Sequence, residues 1–426
     1  MSPELGAVAV ALVAAVATYG LTFLVRKVAV DRGLVVMPDA ERVHTRPTPT
    51  AGGAAIAVGF AVALLVGGQL PAFHSQFAFS TGAAGLGRLG APAGVLLAVA
   101  AMALVGLVDD IRSVSPPAKV AGQVLAAMVL YFFGVTMTHF KVPFLPGYIV
   151  LSSSILPLVT ALWVIGIANA VNLIDGLDGL AAGVIAIGSG ALCVYGLRLI
   201  DLGVLSSNNI GPLLAAACCG ACIGFLPHNF HKAKIFMGDT GAMVLGIVMA
   251  AATMEIGGQV SEVVSGTTYY FFAPLFVPLV ILGVPILDTL LAIIRRTIHR
   301  ASVTQRDLGH LHYRLMRLGH GHRRAVLLLW SWTFVMSGLV LYPTFDPKWN
   351  AAVPIVLAIL LVALLTVFRP GGRRPAAGSS AHARRQQAAV VRRETDRLRA
   401  LGDEQVEAYR RTHRRRFARH HPPMRG

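Results

Sequence analysis

The sequence predicts an all-α polytopic integral membrane protein with about eleven transmembrane helices, and three observations carry that expectation. Of its 426 residues, 55% are hydrophobic and only 13% are charged, with a mean hydropathy of +0.67. A soluble domain carries about 25% charged residues. The apolar residues fall in runs near the ~20 residues that cross a bilayer as a helix. Lysine and arginine gather in alternate loops, the asymmetry that orients a membrane protein.

The expected spans are roughly 5–26, 50–69, 91–108, 118–137, 149–168, 177–197, 210–227, 240–257, 272–294, 324–342 and 350–368. The first lacks a basic start and a small-residue cleavage pattern, so it reads as a retained helix rather than a signal peptide. Placing the 27–49 loop in the cytoplasm puts 33 of the 37 Lys+Arg residues on that side. The N-terminus is then outside and the C-terminus inside, with the plasma membrane as the location. Residues 1–368 form the transmembrane domain. Residues 369–426 form a basic cytoplasmic tail with 16 Lys+Arg against 5 Asp+Glu. Charge blocks such as Arg414-Arg415-Arg416 read as solvated and largely disordered. Attraction to anionic headgroups is the sharper alternative, and nucleic acid is not an expected partner. Cys193, Cys218, Cys219 and Cys222 all lie in apolar runs beside alanine and glycine. That pattern predicts small-residue helix packing rather than a metal or disulfide framework.

The polar motifs come at the ends of these runs, on the expected cytoplasmic side. After the first span the loop carries Pro38, Arg42, His44 and Arg46, then Pro47-Thr48-Pro49-Thr50-Ala51-Gly52-Gly53. Two readings stay open there. The glycines at a helix start and the basic residues suit a phosphate or nucleotide; equally, they are topology residues with packing glycines. Asp109-Asp110 end the third run. A charge at a bilayer centre costs roughly 2.5–3.5 kcal/mol on insertion scales, so acids this close to hydrocarbon usually serve function. Lys119 and Gln123 follow at i and i+4 on one helix face, where a lysine can snorkel or meet a lipid-borne phosphate.

Asn172, Asp175 and Asp178 recur at spacing three, which on a helix puts them on one broad side. Polar groups there need partners. Asp239, in Gly238-Asp239-Thr240-Gly241, is either an N-cap or a site acid facing the other carboxylates across the bundle. Several carboxylates together repel unless a divalent cation sits between them. Hard oxygen ligands completed by a phosphate describe Mg²⁺, with Mn²⁺ as its nearest substitute. Asp288 and Arg295, two helical turns apart, read as a structural ion pair. Arg306, His310 and His312 in the last inner loop suit a pyrophosphate better than zinc, since no cysteine accompanies them.

In combination these motifs resemble the polyprenyl-phosphate N-acetylhexosamine-1-phosphate transferase family, the WecA-type and MraY-type enzymes, over about residues 1–368. The resemblance rests on Pro38, Arg42, His44 and Pro47 to Gly53; on Asp109-Asp110 with Lys119; on Asn172 to Gly179; on Asn229 with Phe236 to Gly241; and on Pro285 to Leu290. His310-Leu311-His312-Tyr313 follows the WecA-type His-x-His-His spacing, with tyrosine in the last place. The MraY-type enzymes have three contiguous histidines.

The resemblance implies transfer of N-acetylglucosamine-1-phosphate from UDP-GlcNAc to a polyprenyl phosphate. The products would be polyprenyl-pyrophosphoryl-GlcNAc and UMP, in the first membrane step of a cell-envelope glycan pathway. It also implies these roles. Mg²⁺ is held by Asp239 with Asn172, and Lys119 holds the acceptor phosphate. Asp109 or Asp110 orients or deprotonates the acceptor, with Asp175 and Asp178 among the catalytic acids. Asp178, Asn229 and Phe236 bind the uridine end, while His310, His312, Arg306, Arg46 and His44 meet the diphosphate. A homodimer is a further implication. Two alternatives remain open. One is the MraY-type reaction on a MurNAc-pentapeptide donor. The other is a cation-coupled transporter using Asp109, Asp175 and Asp239 as a relay. The transporter is disfavoured because the acids gather at one face and no internal repeat is visible.

Overall fold

The computed structural model describes residues 2–36, 47–77, 90–140, 149–258, 315 and 320–345, with short pieces at 358–359, 361–363 and 366. Its helices belong to one unit, 1–38 with 43–369; the second unit, 39–42 with 370–426, lies outside the described residues. The expected spans 272–294 and most of 350–368 are outside them too.

The described chain is mostly helical: α1 (Pro3–Asp31), α2 (Gly53–Gly67), α3 (Gly90–Ile111), α4 (Pro116–Phe132), α5 (Leu156–Ile174), α6 (Leu180–Asp201), α7 (Gly211–Asn229), α8 (Gly238–Gly257) and α9 (His322–Phe345). Local sequence explains several starts. The hydroxyl of Ser2 accepts from the Leu5 N–H at 3.3 Å and caps α1. Pro3, Pro116, Pro157 and Pro212 stand in the first turns of α1, α4, α5 and α7, where a missing N–H costs nothing. Two small hairpins complete the fold. β1 (Val35–Val36) pairs antiparallel with β2 (Thr48–Pro49), and β3 (His139–Phe140) with β4 (Ile149–Val150).

Six of these helices, α1, α3, α5, α6, α7 and α8, are long and apolar enough to cross a membrane. The protein is therefore a helical, multi-pass membrane protein. Burial sorts the helices. In the most apolar stretch of α8, 94% is buried, against 22% in α1. A helix that is apolar all round belongs in the middle of a bundle, and one that shows Leu12, Val16 and Phe23 outward belongs against lipid. α8 touches α3, α5 and α7 and forms the bundle's axis.

Two expectations needed correction. The fifth span begins at Leu156, not 149, because Ile149–Val150 is a strand and a turn follows it. Asn172, Asp175 and Asp178 do not share one helix. Asn172 is in the last turn of α5, Asp175 caps it with ψ +44°, and the chain reverses before α6 through Gly179 at φ +77°. The glycines after Asp175 and Asp178 favour this turn over a continuous helix.

The cysteines are free, and Cys193, Cys218 and Cys222 are buried. Their neighbours do the packing. A β-carbon on Gly220 or Gly224 would overlap the carbonyl oxygen of Ala11 or Ala15, so this Gly-x-x-x-Gly pair lets α7 lie directly on α1. Gly224→Leu is therefore expected to destabilise the folded protein by at least the ~1–3 kcal/mol typical of overpacking. Its unfolding temperature in detergent should drop well below wild type, while Leu12→Ala on the exposed face of α1 should leave it unchanged. An unshifted Gly224→Leu protein would show that the two helices do not touch here.

Candidate active site

The polar residues singled out in the sequence converge where the N-terminus of α8 meets the ends of α2, α3 and α4. Phe236 and Met237, just before α8, are clamped by backbone: Gly52 N–H donates to the Phe236 carbonyl at 2.9 Å, Gly53 N–H to Met237 at 2.8 Å, and Phe236 N–H to Pro49 at 2.8 Å. A β-carbon on Gly53 would collide with the backbone of Gly241. The paired glycines therefore bring α2 against α8, and their N–H groups are engaged within the protein rather than presented to an anion. Gly238 is fixed twice over. Its φ is +71°, and a β-carbon there would press on the Asp110 carboxylate.

Asp110 caps α8. Its carboxylate accepts from the Asp239 N–H at 2.9 Å, the Thr240 N–H at 3.2 Å and the Thr240 hydroxyl at 2.6 Å. The first N–H groups of a helix lack internal partners and carry partial positive charge, so an anion here satisfies both needs. The acid that caps α8 comes from α3, while Asp239, within α8 itself, is left to turn elsewhere.

It turns to Lys119. The Lys119 ammonium donates to Asp109 Oδ2 at 2.8 Å and also to Asp239 Oδ2, so one lysine bridges two carboxylates from different helices. Asp109 also accepts from the Val114 N–H at 2.8 Å, which fixes the short link between α3 and α4. One turn further along α4, Gln123 is buried and accepts from Asn169 of α5 at 3.0 Å. The two residues at i and i+4 do share a face, and the face looks into the bundle.

Asp175 stands beside this group, and no cation among the described residues pairs with it. Burial, then the charges of Asp239, Asp110 and Asp178, push its carboxyl up to about 7. Neither Asp175 nor Asn172 makes a side-chain hydrogen bond to another described residue. Asp178 is a separate centre. It accepts from the Ala233 N–H at 3.2 Å and lies 3.1 Å from His231 Nδ1. Asn229, buried in the last turn of α7, ties the two loops together: its Oδ1 accepts from Gly179 N–H at 2.9 Å, and its Nδ2 donates to the Ile235 carbonyl at 3.1 Å. Phe236 is half-buried. His44, Arg46, Arg306, His310 and His312, like Asp288 and Arg295, lie outside the described residues.

Thr240 and His231 are not singled out by the sequence as site residues, whereas His322 belongs to the run of histidines and arginines that continues the last inner loop. Thr240 had a local signal, a hydroxyl one residue past Asp239 in the first turn of a helix. The two histidines are 91 positions apart, and no spacing rule joins them.

A bundle that gathers four carboxylates and one bridging lysine at the ends of apolar helices is a membrane protein with charged chemistry at the edge of its hydrocarbon-spanning region. Residues 92–257 match the sequence profile of glycosyl transferase family 4. The chain is 40% identical over 370 residues to the decaprenyl-phosphate N-acetylglucosaminephosphotransferase of Mycolicibacterium smegmatis, covering 85% of this chain and 89% of that protein. It is 32% identical over 351 residues to a probable undecaprenyl-phosphate N-acetylglucosaminyl 1-phosphate transferase of Bacillus subtilis, covering 82% and 86%. A phospho-N-acetylmuramoyl-pentapeptide-transferase of Caldicellulosiruptor bescii is more distant, at 29% over 322 residues, covering 72% and 88%. The chain belongs to glycosyl transferase family 4.

A raised carboxyl pKa has a signed consequence. The folded protein holds a proton on Asp175 that the unfolded chain has already lost, so this group's contribution to stability falls as pH rises from about 4 through about 7. In chelator, the unfolding temperature of wild type should fall more steeply than that of Asp175→Asn between about pH 5 and about pH 8. Parallel curves would mean that Asp175 ionises freely.

Proposed function

We propose that this protein transfers N-acetylglucosamine-1-phosphate from UDP-GlcNAc to a polyprenyl phosphate, releasing UMP and leaving polyprenyl-pyrophosphoryl-GlcNAc. The observation that carries the reading is Lys119 bridging Asp109 and Asp239 beside the capped end of α8. The relatives supply the substrates, since those at 40% and 32% identity are named for N-acetylglucosamine phosphate transfer to decaprenyl or undecaprenyl phosphate. The MurNAc-pentapeptide branch is the more distant one.

Phosphoryl transfer asks chiefly for positioning and for neutralisation of charge. An oxygen of the acceptor phosphate attacks the sugar-bearing phosphorus of the donor. The bond from that phosphorus to the bridging oxygen breaks, and the oxygen leaves with UMP. An acceptor phosphate has its second pKa near roughly 6, so it arrives ionised and direct attack requires no strong base. Lys119 neutralises the acceptor phosphate, exchanging a carboxylate for it. Asp109 keeps the lysine in place, and Asp110 holds α8 so that Asp239 faces the reacting groups. Asp178, Asn229 and Phe236 shape the uridine end.

The residues fit Mg²⁺. Asp239, the side-chain amide of Asn172, which makes no hydrogen bond to another described residue, and the carboxyl of Asp175 offer hard oxygen atoms, and burial with the charges of Asp239, Asp110 and Asp178 raises the Asp175 carboxyl to about 7. When bound, the ion would neutralise the donor's diphosphate, and Mn²⁺ would serve in its place. His44, Arg46, Arg306, His310 and His312 add cationic donors to the same diphosphate. The finer topology belongs to this reading too: eleven spans, N-terminus outside, residues 1–368 as the catalytic domain, residues 369–426 as a cytoplasmic tail, and a site facing the cytoplasm where the soluble donor is made. It is supported by the 33 of 37 Lys+Arg residues that fall on that side. A homodimer is compatible with the lipid-facing α1.

The test uses purified protein in detergent with radiolabelled UDP-GlcNAc and decaprenyl or undecaprenyl phosphate, counting label in the organic phase. Label should appear, vanish in EDTA and return with Mg²⁺ or Mn²⁺. Asp239→Asn should reduce the rate on the order of 10²-fold or more. Label only with UDP-MurNAc-pentapeptide would move the protein to the other branch. Vesicle uptake of UDP-GlcNAc without any lipid product would make it a transporter.

A further inference from the structure

At the end of the bundle away from Lys119, a cavity of about 360 Å³ lies between α1, α6 and α7. That volume falls within the ~300–1,000 Å³ of ordinary ligand sites. Its walls include Ala7, Val8 and Ala11 of α1, Gly190 and Val194 of α6, and Cys219 of α7. Val8 and Val194 are exposed, so the cavity is a groove open on the side that meets lipid. Its rim carries Glu4, Arg198 and Asp201, with Phe345 from the end of α9. Arg198 comes late in α6, which starts at Leu180 beside the site, so roughly 27 Å of helix separates this rim from the catalytic end.

A hollow that faces hydrocarbon takes up a lipid chain, because an empty one forfeits the dispersion contacts of its walls. The rim decides which lipid. Arg198 is positioned without being neutralised. Its Nε donates to the Thr344 carbonyl at 3.3 Å, and its guanidinium carbon lies 5.3 Å from the centre of the Phe345 ring. Among the described residues, neither Glu4 nor Asp201 forms an ion pair with it. The rim therefore presents one guanidinium and two exposed carboxylates. A purely anionic headgroup would meet two like charges for one opposite charge. A zwitterion that carries a phosphate and a primary ammonium matches both signs.

We propose that this groove binds one phosphatidylethanolamine molecule, with an acyl chain in the cavity, its phosphate on Arg198 and its ammonium on Glu4 or Asp201. The fork of a guanidinium suits the two free oxygens of a phosphate diester. The ammonium brings three N–H donors to carboxylates that only accept. Phosphatidylglycerol has no cation for those acids, and the methylated nitrogen of phosphatidylcholine has no N–H to donate. The bound lipid fastens the start of α1 to the ends of α6 and α9, in the leaflet away from Lys119.

This site does not depend on the transferase reading, and its test needs no activity. Full-length protein is delipidated in detergent, titrated with phosphatidylethanolamine, phosphatidylglycerol or phosphatidylcholine of matched chains, and weighed intact by native mass spectrometry. Wild type should hold one phosphatidylethanolamine roughly ten-fold or more tighter than either other lipid. Arg198→Gln should lose that preference. Asp201→Asn, at an exposed position, should weaken it and serves if Arg198→Gln fails to fold. A β-carbon on Gly190 meets only Cys219 Sγ, at an ordinary 3.4 Å, so Gly190→Leu should fold, fill the groove and hold no lipid there. Leu12→Ala, outside the groove, should bind as wild type does. Equal affinity of wild type for phosphatidylethanolamine and phosphatidylglycerol would overturn the proposal, as would an undiminished preference in folded Arg198→Gln and Asp201→Asn.

Discussion

The site depends on one positive charge. Lys119 is the cation between Asp109 at the end of α3 and Asp239 at the start of α8, and without it two half-buried carboxylates would face each other. Two like charges at such a distance are tolerated only if one is protonated or a cation intervenes. A lysine so placed does three things. It joins α3, α4 and α8 at one point, it sets a positive charge between the two carboxylates, and it stands ready for a phosphate that arrives with more charge than either acid. The neighbouring Asp175 makes no ion pair with another described residue, and burial with the nearby carboxylates pushes its carboxyl up to about 7.

The fold places that lysine by close approach rather than by long side chains. Asp110 reaches the first N–H groups of α8 because Gly238 admits its carboxylate, and α2 lies against the same helix end through Gly53. α8 is buried nearly all round, so its N-terminus is a fixed reference for everything that meets it. Most protein hydrogen bonds are worth about 1 kcal/mol net, more when an ion takes part. The three that converge on Asp110 therefore set the position of Asp239 relative to Lys119 more firmly than any single apolar contact does.

Much of this was legible in the sequence, for reasons that particular residues make plain. Asp109-Asp110 stood out because they end an apolar run, and that signal needs no partner to be known. Lys119 and Gln123 were correctly placed on one face by helical period alone. The period-three reading of Asn172, Asp175 and Asp178 failed because glycines follow two of them, and local backbone freedom outweighed the pattern. Gly52 and Gly53 pointed to an anion or to packing. Only the structure reveals that their N–H groups are taken by Phe236 and Met237, far along the chain. The stacking of His231 on His322 was hidden for the same reason, since tertiary contacts between distant loops leave no mark in spacing. The substrate class came from the combined motifs and the relatives' names, not from any one side chain.

The account's central claim is that Lys119 and Asp239 act as one unit, and a double-mutant cycle on lipid-product formation tests it most directly. Rates would be measured for wild type, Lys119→Met, Asp239→Asn and the double variant at saturating Mg²⁺. Groups that act together lose most of their effect with the first removal. The prediction is that the double variant is little slower than the slower single variant. Losses that multiply would mean that the two residues contribute separately and that the bridge between them is incidental to the reaction.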